Sequence, residues 1–318
     1  MSFDPFALMN LARTAAEDSQ HERHKVGAVI HGLDEGGAAY TIARANRWPK
    51  TLEDAMGRQT KLGNASTTIH AEVAAILDSP TTEGASIYIT DLPCPNCAKI
   101  LSEARFQNVY IDAQTHNTPL GQKLKPFFDA ASLVIFKAAH VNVYEVNMDE
   151  REVTALLSHD THKLMNIEHP IHISPTKGDH ISMEHFKQAI SQHKTDMPFA
   201  ACFVRSRLGQ HHLMIANSQR SVGLTAEQSD DIRNAQHKYK PGLQPINRLL
   251  LNCARYGFKI ESGYLYSSQT PTSREFVNLI GAGYHDLMIG DARSCRDVFG
   301  IKALGQLLDH KIMNIKTG

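Results

Sequence analysis

Thr68-Ile69-His70-Ala71-Glu72-Val73-Ala74-Ala75-Ile76-Leu77, followed a strand later by Asp91-Leu92-Pro93-Cys94-Pro95-Asn96-Cys97, is the stretch from which the rest of the chain is read. One imidazole and two thiolates make three protein ligands. That is the count of a catalytic zinc, which keeps a fourth position open, whereas a structural zinc takes four. Glu72 stands two residues from His70, near enough to share one site without binding the metal. A redox Cys-x-x-Cys would need neither His70 nor Glu72. Zinc lowers the pKa of water from 15.7 toward neutrality. Glu72 is then placed to take a proton from that water and pass it to a leaving group. Residues of this kind suit hydrolytic removal of ammonia from an amidine-like ring carbon.

The apolar spacing of Val73, Ile76 and Leu77 predicts a helix over 70–77 with one buried face. Ile87–Thr90 reads as a short strand, and a second helix starts near Cys94 with Ala98, Ile100, Leu101 and Ala104 inward. Upstream, Asp4-Pro5 opens a helix to about Glu17. Val26–Ile30 and Ala39–Ala43 form a hairpin around Asp34-Glu35-Gly36-Gly37. Downstream, Val109–Ile111 is a strand, Leu120–Ala131 is helical at least in part, and Leu133–Phe136 and Val141–Val146 look like strands. This order implies an α/β fold, a mixed sheet with helices on both faces and both ligand-bearing segments at helix N-termini.

The chain has 318 residues, room for two domains. Its formal net charge is zero, but residues 1–150 are acidic by about five charges and the rest basic by as many. The basic half makes a nucleic-acid partner conceivable without favouring it. No apolar run is long enough for a membrane helix, and the N-terminus lacks a signal-peptide pattern. Cys202, Cys253 and Cys295 are widely spaced and read as small core residues. A reducing cytoplasm and a homo-oligomer are expected. Residues 151–181 hold His159, His162, His169, His172 and His180 among polar residues and read as a solvated linker, with a short helix near Val153–Leu157. The histidines lack the i, i+4 pairing of a zinc helix.

The second half echoes the first in order. Phe186–Ser191 matches the first helix, Phe199–Val204 and Gln210–Ile215 the hairpin, and Leu287–Ile289 the strand after the second cysteine. Pro245–Leu250 parallels Thr68–Val73, which sets Asn247 against His70 and Leu249 against Glu72. Pro271-Thr272-Ser273-Arg274 parallels the cysteine segment, with Thr and Ser in place of thiols. The expectation is a catalytic domain at 1–150, a linker at 151–181 and a non-catalytic copy at 182–318.

The pairing of His-x-Glu with Pro-Cys-x-x-Cys is the signature of zinc nucleobase deaminases. With Val26-Gly27-Ala28-Val29-Ile30, Asn46, Ile87-Tyr88-Ile89-Thr90 and Pro93-Cys94-Pro95-Asn96-Cys97-Ala98-Lys99-Ile100, the first 150 residues resemble the cytidine and deoxycytidylate deaminase superfamily, its deoxycytidylate branch above all. The resemblance implies a three-layer α/β/α fold around a five-stranded mixed sheet, with zinc on His70, Cys94 and Cys97 and Glu72 as proton shuttle. It also implies a small-molecule nucleoside or nucleotide substrate, with Asn46 on the sugar and the Ala71 backbone at the ring. Some relatives pair an active with an inactive domain. Ala45-Asn46-Arg47-Trp48-Pro49 departs from the Gly-Tyr-Asn-Gly loop of deoxycytidylate deaminases and leaves nucleotide regulation open. Trp48 is a candidate to stack on the base, or else caps the domain edge. Arg47, Lys50, Arg58 and Lys61 read first as solvated charges and second as phosphate contacts. Adenine or guanine as the base is the alternative. Another is a polynucleotide held by the basic half, through the run Arg233, His237, Lys238, Tyr239 and Lys240.

Overall fold

The computed structural model describes residues 4–159, 170–176, 181–235 and 240–317. The described residues form two compact units. One gathers those of Met1–Arg47, His70–His169 and Arg220–Gly242; the other gathers those of Trp48–Ile69, Pro170–Gln219 and Leu243–Gly318. Each unit therefore takes most of its residues from one half of the chain and one segment from the other.

The first unit is built on strands β1 (Gly27–Leu33), β2 (Ala39–Ala45), β3 (Ser86–Ile89), β4 (Asn108–Asp112), β5 (Asn142–Asn147) and β6 (Glu152–Leu157), in the sheet order β2-β1-β3-β4-β5-β6. β1 runs antiparallel to β2 and β3, β3–β4–β5 are parallel, and β6 returns antiparallel to β5. A hairpin needs only a tight turn, while each parallel neighbour needs a crossover, and helices supply these. Helix Pro5–Glu17 lies on one face, where Met9 and Ala12 pack with Val29, Tyr88 and Val146. Asp4 caps it, its carboxylate accepting from the Phe6 N–H at 3.0 Å. On strands β3, β4 and β5, Tyr88, Tyr110 and Tyr144 stack at 4.5 and 4.9 Å between ring centroids. Gly27 is where the helix rides closest: a Cβ there would lie 1.9 Å from the Ala12 carbonyl oxygen.

The second unit uses β7 (Ile171–Pro175), β8 (Phe199–Arg205), β9 (His211–Asn217), β10 (Lys259–Thr270), β11 (Asp286–Cys295) and β12 (Asn314–Thr317), in the order β12-β11-β10-β8-β9-β7. β8 is antiparallel to β9 and β10, and β10–β11–β12 are parallel. Five strands thus repeat the order and directions of β1–β5, with helices Met183–Gln192, Pro245–Arg255, Ser273–Gly281 and Val298–Asp309 at the matching points. The sixth strand differs. β6 joins the edge beside β5, and β7 the edge beside β9.

Three expectations are corrected. Val153–Leu157 is not a helix but most of β6, and His172 lies in β7, so the described parts of the supposed linker complete two sheets. The β-branched Val153 and Thr154 suit an edge strand. Leu133–Phe136 is helical, within Leu133–Ala138, continuous with helix Pro119–Phe127 through a wider turn at Phe128–Ser132. A four-residue apolar run does not by itself separate strand from buried helix. The five-stranded sheet becomes six-stranded in each unit. His162, His169, His180, His237, Lys238 and Tyr239 lie outside the described residues.

Gly27→Ala is expected to cost about 1–3 kcal/mol or more in a denaturant titration, because the methyl would meet rigid backbone on the opposing helix. Wild-type stability in that variant would mean the helix shifts freely on β1.

Candidate active site

Two helix starts meet in the first unit. His70 is the N-cap of Ala71–Leu77, with extended backbone (φ −69°, ψ 152°), and Glu72 is the second helical residue. Cys94 is the N-cap of Pro95–Glu103, with φ −65° and ψ 162°, and Cys97 is its third residue. Pro95 at the first helical position needs no N–H there and presets the helical φ. The loop from β3 into this helix is pinned. The Asp91 carboxylate accepts from the Leu92 N–H at 2.8 Å and from the Thr115 hydroxyl at 2.5 Å, and Ser132 donates to the Pro93 carbonyl at 2.9 Å.

The result is one ligand cluster. His70 Nδ1 lies 3.2 Å from Cys97 Sγ and 4.0 Å from Cys94 Sγ, and the two sulfurs are 3.6 Å apart. Zn–S bonds near 2.3 Å and Zn–N bonds near 2.0 Å in a tetrahedron put donor atoms about 3.5–3.8 Å apart. The three separations scatter about that edge, so the donor set fits zinc in both chemistry and size. Among the described residues this is the one group of three or more His, Cys, Asp or Glu side chains close enough to hold a metal. Cys94 and Cys97 are 6% and 1% exposed and Glu72 is 4% exposed, whereas His70 is exposed, so the cluster opens to solvent on the imidazole side.

The electrostatics suit a proton-handling site. Burial pushes the Glu72 carboxyl above its ordinary range, with the nearby Cys94 adding to it and His70 opposing. A hydrogen bond from Cys97 holds Cys94 well below the usual thiol range, and His70 adds to this. Cys97 is correspondingly pushed up, by that bond and by burial. The pair thus retains a proton that a cation would displace.

Other candidate residues fall differently. Asn46 is buried, and its amide braces the chain before β1. Its Oδ1 accepts from the Ser19 hydroxyl at 2.7 Å and the Val26 N–H at 2.9 Å, and its Nδ2 donates to the His24 carbonyl at 2.9 Å. Ala71 starts the first site helix and is buried. Trp48 belongs to the other unit, where its indole N–H donates to the Arg58 carbonyl at 2.9 Å and the Arg58 guanidinium lies 5.6 Å from the ring centroid. Arg47, Lys50 and Arg58 are ion-paired with Asp78, Asp54 and Glu53. Cys202 and Cys253 are buried, Cys295 is partly so, and all five thiols are free. Sequence reasoning missed Leu124 and Phe127, which pack against the two cysteines. It also missed His21, whose pKa burial and then His24 lower, with His70 near enough to contribute. No local pattern marks these three.

The parallel drawn for the second half is corrected by its helix caps. Gln244, not Asn247, caps Pro245–Arg255, so Asn247 is the third helical residue. Thr272 caps Ser273–Gly281, and Glu275, not Ser273, stands three residues on, where Cys97 stands after Cys94. The first slip, from Asn247 to Gln244, is three residues, which keeps an apolar helix face almost in register and so escapes periodicity; the second, from Ser273 to Glu275, is two.

The family comparison agrees with this geometry. Residues 5–113 match the model of the cytidine and deoxycytidylate deaminase zinc-binding region. A deoxycytidylate deaminase of Mycobacterium phage D29 is 30% identical over 112 residues, 32% of this chain and 88% of that protein. ComE operon protein 2 of Bacillus subtilis (strain 168) is 38% identical over 89 residues, 26% of this chain; the chain spans only 40% of that relative's length. A solved dCMP deaminase from cyanophage S-TIM5 is 21% identical, with a TM-score of 0.31, over 45% of this chain and 96% of its own. The chain belongs to the cytidine and deoxycytidylate deaminase family.

His70→Ala and Cys97→Ser are each expected to take bound zinc, measured by elemental analysis after dialysis, from about one per chain to a small residue. Losing a direct ligand should exceed the roughly 10–100-fold in affinity typical of outer-shell partners. Full zinc content in both variants would refute the ligand assignment.

Proposed function

We propose that the chain hydrolytically deaminates a cytosine-type nucleotide or nucleoside, in the manner of deoxycytidylate deaminases. The observation that carries this is the His70–Cys94–Cys97 cluster with a buried carboxyl, Glu72, beside it. Zinc in such a site acidifies water so that it becomes a nucleophile near neutral pH. Glu72 would take a proton from the attacking water and return one to the departing amine, so water enters and ammonia leaves. A raised pKa suits a group that must both accept and donate a proton. The Ala71 N-terminal backbone faces the ring, and Asn46 orients the sugar through its remaining amide hydrogen. The phage relative, a deoxycytidylate deaminase by name, supports the nucleotide level.

We further propose that 1–150 is the catalytic half and 182–318 a non-catalytic copy. The shared order of five strands supports this, as does a second helix pair that offers Gln244, Thr272 and Glu275 in place of the ligands. No helix among the described residues is long and apolar enough to cross a membrane. The free thiols favour a reducing compartment, and we place the protein in the cytoplasm.

Ammonia release across cytosine, cytidine, CMP, dCMP, adenosine, guanine and oligonucleotides tests the substrate class, with release expected from the cytosine compounds. Glu72→Ala should keep its zinc and lose about 100- to 10,000-fold in kcat. If it turns over every substrate at the wild-type rate, the mechanism is wrong. As the acting base, Glu72 must be ionised. Activity should therefore fall as pH drops through its raised pKa, with an acid limb above pH 4.5, the carboxyl's ordinary value. Activity that does not fall on the acid side would place the base elsewhere.

A further inference from the structure

In the first unit, two helix starts converge on the ligands: His70 caps one helix, and Cys94 and Cys97 occupy the cap and third position of the other. The second unit repeats the frame with Gln244, Thr272 and Glu275 at those three positions. Glu275 is 2% exposed. Its Oε1 accepts from the Ile246 N–H at 2.9 Å, and its Oε2 accepts from both the N–H and the hydroxyl of Thr272, each at 2.8 Å. One carboxylate therefore closes the starts of both helices.

The chemistry of these contacts is specific. Pro245 removes the N–H at the first position of its helix, so the Ile246 N–H is the first donor needing a partner, and the Gln244 side chain does not cap it. All three groups on Glu275 are donors, which suits an anion. The positive ends of two helices add to that preference. Burial pushes the carboxyl pKa up, and the hydrogen bonds from Thr272 and Ile246 pull it back. A second buried bond ties the same helices further along, from Asn278 Nδ2 to Asn247 Oδ1 at 2.8 Å, and this gives Asn247 a structural place.

We infer that Glu275 is the second half's replacement for a metal ion: its carboxylate joins two helix starts that, in the first half, are joined through a shared ligand set. A cysteine carries one short sulfur and needs an ion to span the gap. A glutamate carries two oxygens on a longer stem and spans it alone. The inference rests on the two halves being copies, as proposed above, and predicts that a metal site lies three substitutions away.

Thermal unfolding and zinc content of the full chain test it. Glu275→Ala should lower the unfolding midpoint by about 5 °C or more while about one zinc per chain remains. Glu275→Gln should fall between, because only one of its two terminal atoms can accept. An unchanged midpoint in Glu275→Ala overturns the inference. The triple variant Gln244→His, Thr272→Cys, Glu275→Cys should bind a second zinc and regain with it the midpoint lost in Glu275→Ala. A folded triple variant that holds one zinc overturns the equivalence of the positions. If the triple variant does not fold, the two single variants decide. Ammonia release enters neither readout, so this inference and the deaminase assignment fail separately.

Discussion

Cys94 and Cys97 place two sulfurs 3.6 Å apart at the first turn of a helix, both almost wholly out of water. Backbone N–H groups at that turn have no carbonyl of their own to meet, and they favour negative charge. Two buried thiolates that close repel each other, which shows in the opposed shifts of the pair. A bound cation removes the conflict, and the imidazole at the start of the neighbouring helix completes the set. The rest of the first unit serves this arrangement. β3 and β1 hold the two helices on one sheet, Asp91 and Ser132 fix the loop between strand and cysteine, and Leu124 and Phe127 wall the sulfurs off. Only the imidazole side stays open.

The second unit meets the same constraint without thiols. Its two helix starts also present unpaired donors, and Glu275 satisfies them with the two oxygens of one side chain. An unpaired buried N–H costs about 1–3 kcal/mol, so removing this carboxylate would weaken the second unit.

The two units also share one structural habit. In each half of the chain, the segment between the hairpin and the first site helix belongs to the other unit. In the first unit, Lys99, two residues past Cys97, holds residues 240 and 242 by donating its ammonium to their carbonyls at 2.7 and 3.2 Å. Gly223 fits against Ala138 so closely that a Cβ would lie 2.0 Å from the Ala138 carbonyl oxygen. The helix that carries the cysteines is thus buttressed by residues far away in sequence.

How much could be read in advance follows from the range of the interactions. The metal ligands, Glu72, the hairpin and the crossover helices of the first half are written in local spacing: a cap position, a turn, an apolar period. The sequence by itself therefore determined the metal chemistry, the order of elements and the α/β class. Four features depend on packing that a local apolar pattern does not record, and only the tertiary structure decided them. Residues 152–157 became a strand because β5 offered an edge. Residues 133–138 became helix because they continue a helix already begun. Trp48 falls in the second unit with the rest of Trp48–Ile69. The starts of the second helix pair lie at Gln244 and Thr272, and Glu275 reaches Ile246 across 29 positions. A periodic pattern fixes which face of a helix is buried but not which turn begins it; that depends on what lies opposite the first unpaired N–H.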